Sequence, residues 1–114
     1  MRILIEPIKI DELLHVAKES FGDMVKAVVD VEREIVAIDA ELHSDLETLC
    51  LEDGSKQQSL WGINYYPEME GEDFIEFDSM INLRPSQGNF SRGITDETIC
   101  NIIRDISTKW IRRT

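Results

Sequence analysis

At 114 residues the chain has the length of one domain with a single core. A hydrophobic fraction of 42% beside 31% charged residues fits a folded globular protein, and no apolar run reaches the roughly 20 residues that span a bilayer. The net charge of −11 argues against a broad nucleic-acid surface.

Arg2–Ile5 reads as a short strand closed by Glu6 and Pro7. That segment is too short for a signal peptide, so the cytoplasm is the expected compartment. Ile10, Leu13, Leu14, Ala17 and Phe21 recur at helical spacing and predict a helix over Lys9–Ser20. Gly22 suits the position just past its end, and His15 falls off the apolar stripe. Met24–Val31 alternates as a strand. Glu32-Arg33 is a weakly signalled turn, and Glu34–Ile38 returns as a strand apolar on both faces, which predicts an interior position.

Asp39–Asp45 holds a candidate metal site. Extended, Glu41, His43 and Asp45 share one face and suit a divalent cation; in a helix, residues two apart point away from each other. Ser44-x-x-Glu47 has the form of a capping box. Leu42, Leu46, Leu49 and Cys50 then form a helical stripe that Gly54 ends, and the preceding acids suit the positive end of the helix dipole. Cys50 and Cys100 lie in separate apolar patterns with no second Cys or His at metal-ligand spacing. Reduced, partly buried thiols are expected, with a disulfide between the two helices as the alternative.

Leu60–Tyr66 is predicted as a strand that Pro67 ends. Gly62 within it marks a bulge or a close backbone approach. An acidic loop, Glu68–Asp73, leads into a second alternating segment, Asp73–Arg84. Ile75, Phe77, Ile81 and Leu83 fall on its apolar face; Phe74, Glu76, Asp78, Met80, Asn82 and Arg84 fall on the other. Pro85 ends it, and Ser86-Gln87-Gly88-Asn89 is turn chemistry, followed by Ser91 and Arg92. Asn64, Glu76, Asp78, Asn82, Arg84, Asn89, Ser91 and Arg92 are the candidate ligand-binding residues. Two guanidinium forks beside turn N–H groups suit a phosphate or carboxylate. The competing reading is a solvated sheet face whose arginines pair with Glu76, Asp78 or other acids. Thr95 is the expected cap of a last helix with Ile99, Ile102, Ile103, Ile106 and Trp110 on one stripe, and Arg112 and Arg113 suit its C-terminal end.

The element order is β-α-β-β-α-β-β-α. It predicts a single α+β domain, residues 1–114: a mostly antiparallel sheet of about five strands with about three helices packed on one side. Charge is uneven along it. Residues 1–83 hold 6 Lys and Arg against 20 Asp and Glu, whereas residues 84–114 hold 6 against 3. The basic groups collect at the turn and the last helix, consistent with a local anion site, internal pairing or contacts in a homo-oligomer.

Three stretches carry a family likeness: FGDMVKAVVDVEREIVAIDAELHSDLE, GSKQQSLWGINYYP and IEFDSMINLRPSQGNFSR. With them the chain resembles a family of small uncharacterised prokaryotic proteins, classed only as a domain of unknown function. The resemblance implies a stand-alone cytoplasmic protein and supplies no reaction or cofactor.

Three function classes fit these residues. The first is a binding or interaction module with an anion site at the Arg84–Arg92 turn, taking a small anionic ligand or a protein partner and forming a homo-oligomer. The alternative is a small hydrolytic or phosphate-handling enzyme, with Asp78 or Glu76 as general base and Arg84 and Arg92 stabilising charge. Third comes single-stranded nucleic acid stacked on Tyr65, Tyr66 or Phe90, which the net charge disfavours. No GxSxG, HExxH or CxxC motif is present.

Overall fold

Val25–Asp30 (β3) is the middle of the structure, a computed structural model describing residues 1–114. Its side chains alternate between two buried faces, so it can sit only where both faces of a sheet are covered. Ile35–Ile38 (β4) pairs with it on one side and Leu60–Tyr65 (β5) on the other, both antiparallel. Arg2–Ile3 (β1) and Ile75–Glu76 (β6) complete the order β1-β4-β3-β5-β6. A second, parallel pair joins Ile8–Lys9 (β2) to Ile111–Arg112 (β7). The helices are Ile10–Glu19 (α1), His43–Glu52 (α2) and Glu97–Trp110 (α3). The α+β class, the three helices and the five-stranded antiparallel sheet agree with the sequence.

The placement of the helices differs from the expected single layer. Leu13 and Ala17 of α1 and Ile103 and Ile106 of α3 pack on Val25, Ala27, Val29, Val36, Ile38, Trp61, Ile63 and Tyr65. Leu46 and Cys50 of α2 pack on Val28, Ala37 and Leu60, the opposite face. The reason is visible along the strands. The second face is apolar at one end, where α2 lies, and polar at the other, where Lys26 pairs in register with Asn64. Cys50 and Cys100 are therefore on opposite sides of the sheet, and both are free and buried. Burial pushes the Cys50 thiol up to about 11, with nearby Asp30 adding to the shift.

The β3–β4 hairpin forms with neither Gly nor Asn in its turn. Asp30 Oδ1 accepts the N–H groups of Glu32 and Arg33, each at 2.9 Å, and Glu34 takes a φ of 57°. The end of α3 braces that turn: Trp110 Nε1 donates to the Glu34 carbonyl (2.8 Å) and Lys109 pairs with the Glu34 carboxylate (2.8 Å). Gly22 and Gly54 end α1 and α2 with φ of 97° and 104°, which favours glycine at both positions. The cap position of α2 lies two residues before the expected one and that of α3 one residue after it. Leu42 precedes α2 without a side-chain cap, so Ser44 does not cap it, and Asp96 caps α3 in place of Thr95.

The larger departure is in Asp73–Arg84, where only Ile75–Glu76 is strand. Ser79 Oγ accepts the Ile81 N–H and starts a tight turn over Met80–Asn82. Alternation is lost there. Ile75 and Phe77 join the large core, Ile81 joins the small one, and Leu83 is exposed. Phe74, read as part of the polar face, is buried with its ring stacked on Tyr65 at 5.1 Å.

Candidate functional site

One edge of β5 is paired along its length by β3, while the other meets β6 only at Asn64 and Tyr65. Beyond Glu76 side chains replace the missing strand. Asn82 Oδ1 accepts the Gly62 N–H (2.8 Å) and Asn82 Nδ2 donates to the Gly62 carbonyl (2.9 Å). Two residues on, Arg84 Nη2 donates to the Leu60 carbonyl, so the antiparallel direction continues through side chains. Gly62 is required because a Cβ there would lie 2.6 Å from Ser79 Cβ. This is the close backbone approach expected of that glycine.

Arg84 is only 8% exposed. Its guanidinium sits 4.9 Å from the Trp61 ring centroid, its Nε donates to the Ile81 carbonyl (3.0 Å), and Nη2 also reaches Glu47 (3.4 Å). Burial pulls its pKa down, and Glu47 opposes the shift. Asn89 is equally committed. Its Nδ2 lies 2.7 Å from the carbonyls of both Asn82 and Gly93, and its Oδ1 accepts the Thr95 N–H (3.0 Å). Asn82 and Arg84 thus fasten residues 79–95 to the sheet and Asn89 ties that segment to itself, each with its polar atoms already occupied. Trp61 and Glu47, which complete the setting of Arg84, are far from it in sequence, and no local pattern marks them.

Of the remaining candidates, Asn64 is buried, Asp78 is half-buried, and Glu76, Ser91 and Arg92 are exposed. Arg92 Nε donates to Asp78 Oδ1 (2.7 Å) in an exposed pair. Arg84 and Arg92 therefore hold separate carboxylates, as the competing reading anticipated. Ser91 is exposed. Glu76 Oε1 accepts from Asn64 Nδ2 (2.9 Å) and from the Tyr66 hydroxyl (3.1 Å), and Asn64 Oδ1 is buried without a partner. Tyr66 has a raised pKa, from burial first and then its bond to Glu76. Tyr65 is fully buried against Ser107 (2.6 Å), out of reach of any base.

The three metal candidates do not converge. Glu41 is exposed ahead of α2, Asp45 is exposed within it, and His43, only 8% exposed, donates from Nε2 to the Ile63 carbonyl (2.8 Å). Burial lowers the His43 pKa; the Ile63 carbonyl opposes this and Lys26 adds to it. No group of three His, Cys, Asp or Glu side chains in the chain is arranged to hold a metal ion.

A different concavity gathers positive charge. Phe74, Ile75 and Ile111 form the apolar wall of a pocket of about 610 Å³, with Arg104, Arg112 and Arg113 around it. Arg113 lies over the Phe74 ring at 4.7 Å and donates to the Met69 carbonyl (3.2 Å). Arg104 lies over Phe77 at 5.1 Å and pairs with Glu97 (3.0 Å). Arg2, Arg33, Arg84, Arg92 and Arg104 each hold a carboxylate, whereas Arg112 and Arg113 hold none. The basic C-terminal third signalled this in the sequence; the aromatic partner, Phe74, did not.

A family profile for proteins of unknown function matches residues 2–110. The chain belongs to the DUF5674 family. The match takes in the whole sheet and all three helices, and ends just before β7. No curated protein and no solved structure matches this DUF5674 chain. None of its helices is long and apolar enough to cross a membrane.

Proposed function

We propose that this DUF5674 protein is a binding module for a small anionic ligand, seated in the pocket between Phe74 and Arg104, Arg112 and Arg113. One observation carries the reading: in a chain of net charge −11, two arginines without a carboxylate partner share one pocket of about 610 Å³ with a third. Guanidinium forks match phosphate and carboxylate geometry. The wall of Phe74, Ile75 and Ile111 suits a ligand with an apolar body beside its anionic group. The Arg84–Arg92 turn supports an anion site less well, because both guanidiniums already hold carboxylates.

The test is calorimetric titration with inorganic phosphate, an aryl phosphate and an aryl carboxylate, on wild type and on R112A/R113A. The reading expects an aryl ligand to bind more tightly than phosphate, and the double variant to lose at least tenfold in affinity. Equal affinity in the double variant would remove the pocket as the site.

A second, enzymatic reading draws on the other face of the sheet. There a His43 that burial biases towards neutral lies beside Asn64, with Glu76 and Asp78 on the same face. In this reading Asp78 or Glu76 is the base of a hydrolytic reaction. Turnover of a phosphate or carboxylate ester that Asp78→Ala abolishes at unchanged melting temperature would favour it over the binding module.

A further inference from the structure

Residues 79–95 form the longest run in the chain without Asp or Glu. Three of the ten exposed large apolar side chains fall inside it: Met80 at 62%, Leu83 at 44% and Phe90 at 72% exposure. Their proximity follows from the backbone. Arg84 and Asn89 form an antiparallel bridge and turn inward, so Leu83 and Phe90, which flank it, turn outward. Met80 opens the tight turn that closes just before Leu83, and side chains three apart in such a turn lie over one another. The arm is also held still. Asn82 fixes its backbone to β5, and Asn89 ties it together internally at Gly93 and Thr95, which lowers the entropy cost of docking on it.

We infer that this arm is the face through which two copies of the chain associate, Met80, Leu83 and Phe90 of one packing on the same residues of the other. Charge selects the occupant. Two chains of −11 repel, and the arm is where they can meet without bringing carboxylates of its own run together. Its two arginines are already neutralised, Arg84 by Glu47 and Arg92 by Asp78, so it has no free cation to draw nucleic acid or an acidic protein. A basic protein would be drawn instead to residues 1–83, where 20 of the 23 carboxylates lie. A second copy brings an apolar patch of the same size and shape, as a two-fold interface requires. The inference does not depend on the arginine pocket, which lies at the other end of α3.

Sedimentation equilibrium across the micromolar range tests it, on wild type and on L83E/F90E. Wild type is expected to reach twice the chain mass, and added salt to tighten the association by screening the repulsion. The double variant is expected to stay monomeric with an unchanged melting temperature, since both side chains are exposed. A wild type that remains monomeric throughout would overturn the inference, as would a variant that associates equally well. Dissociation of the dimer by salt would also overturn it, because that would mark an interface built on ion pairs elsewhere.

Discussion

Arg84 and Arg112 come from the same basic third of the chain and do opposite things. Arg84 is enclosed by Trp61, Glu47 and the carbonyls of Leu60 and Ile81, and it replaces a strand. Arg112, in β7, is held only through its backbone, opposite Lys9 of β2, and its charge stays exposed on a pocket. A guanidinium that completes backbone pairing is a structural part. One whose position is set by its main chain leaves its side chain without a carboxylate partner, which is what the proposed anion site draws on.

Removing Arg84 should give the largest effect. Arg84→Ala leaves Glu47 and the Leu60 carbonyl buried without their partner, a loss of about 3–5 kcal/mol. Urea denaturation should show it, whereas Arg92→Ala, which breaks an exposed pair, should cost about 0–1 kcal/mol. Equal losses would break the contrast between inner and outer arginines. Asn82→Ala should follow at about 2–3 kcal/mol, because both polar groups of Gly62 lose their partner. Gly62→Ala should cost about 1–3 kcal/mol through overlap with Ser79, with part of the loss recovered in the Ser79→Gly background.

A pH effect should come next. The folded protein favours neutral His43, so as pH falls below the ordinary 6.5 the unfolded chain takes up the proton first. This contribution to stability is complete above that pH and declines as pH falls towards the lowered folded value. Melting temperature should drop over that interval, and His43→Gln should flatten the slope. Arg112→Ala should have the least effect on stability, within about 0.5 kcal/mol. Its effect should appear in anion affinity, the reverse of Arg84→Ala.

What the sequence disclosed follows from the range of each interaction. Periodicity located α1, α3 and the β3–β4 hairpin because Leu13, Ala17, Ile103, Ile106 and the valines of β3 answer to one large apolar cluster. It failed after Glu76 because the run Phe77–Leu83 still alternates in composition while Ser79 turns the chain. The internal pairing of Arg84 rests on Glu47 and Trp61, distant residues that no window around Arg84 contains. The candidate residues therefore divided into a buried set, Asn64, Asn82, Arg84 and Asn89, and an outer set, Glu76, Asp78, Ser91 and Arg92. The arginine pocket depends on Phe74, whose position in the alternation pointed to the wrong face.

The parallel pairing of Ile8 with Ile111 joins segments about 100 residues apart. Closing so long a loop is entropically slow, though each doubling of loop length adds only about 0.6 kcal/mol. The local β3–β4 hairpin and the helices have no such search to make, so β2 and β7 should dock last in folding. The arginine pocket, which borrows Ile111 and Arg112 from that strand and Arg113 from just beyond it, would then be the last part of the molecule to acquire its shape. In hydrogen exchange, the amides of β7 should open before those of β3.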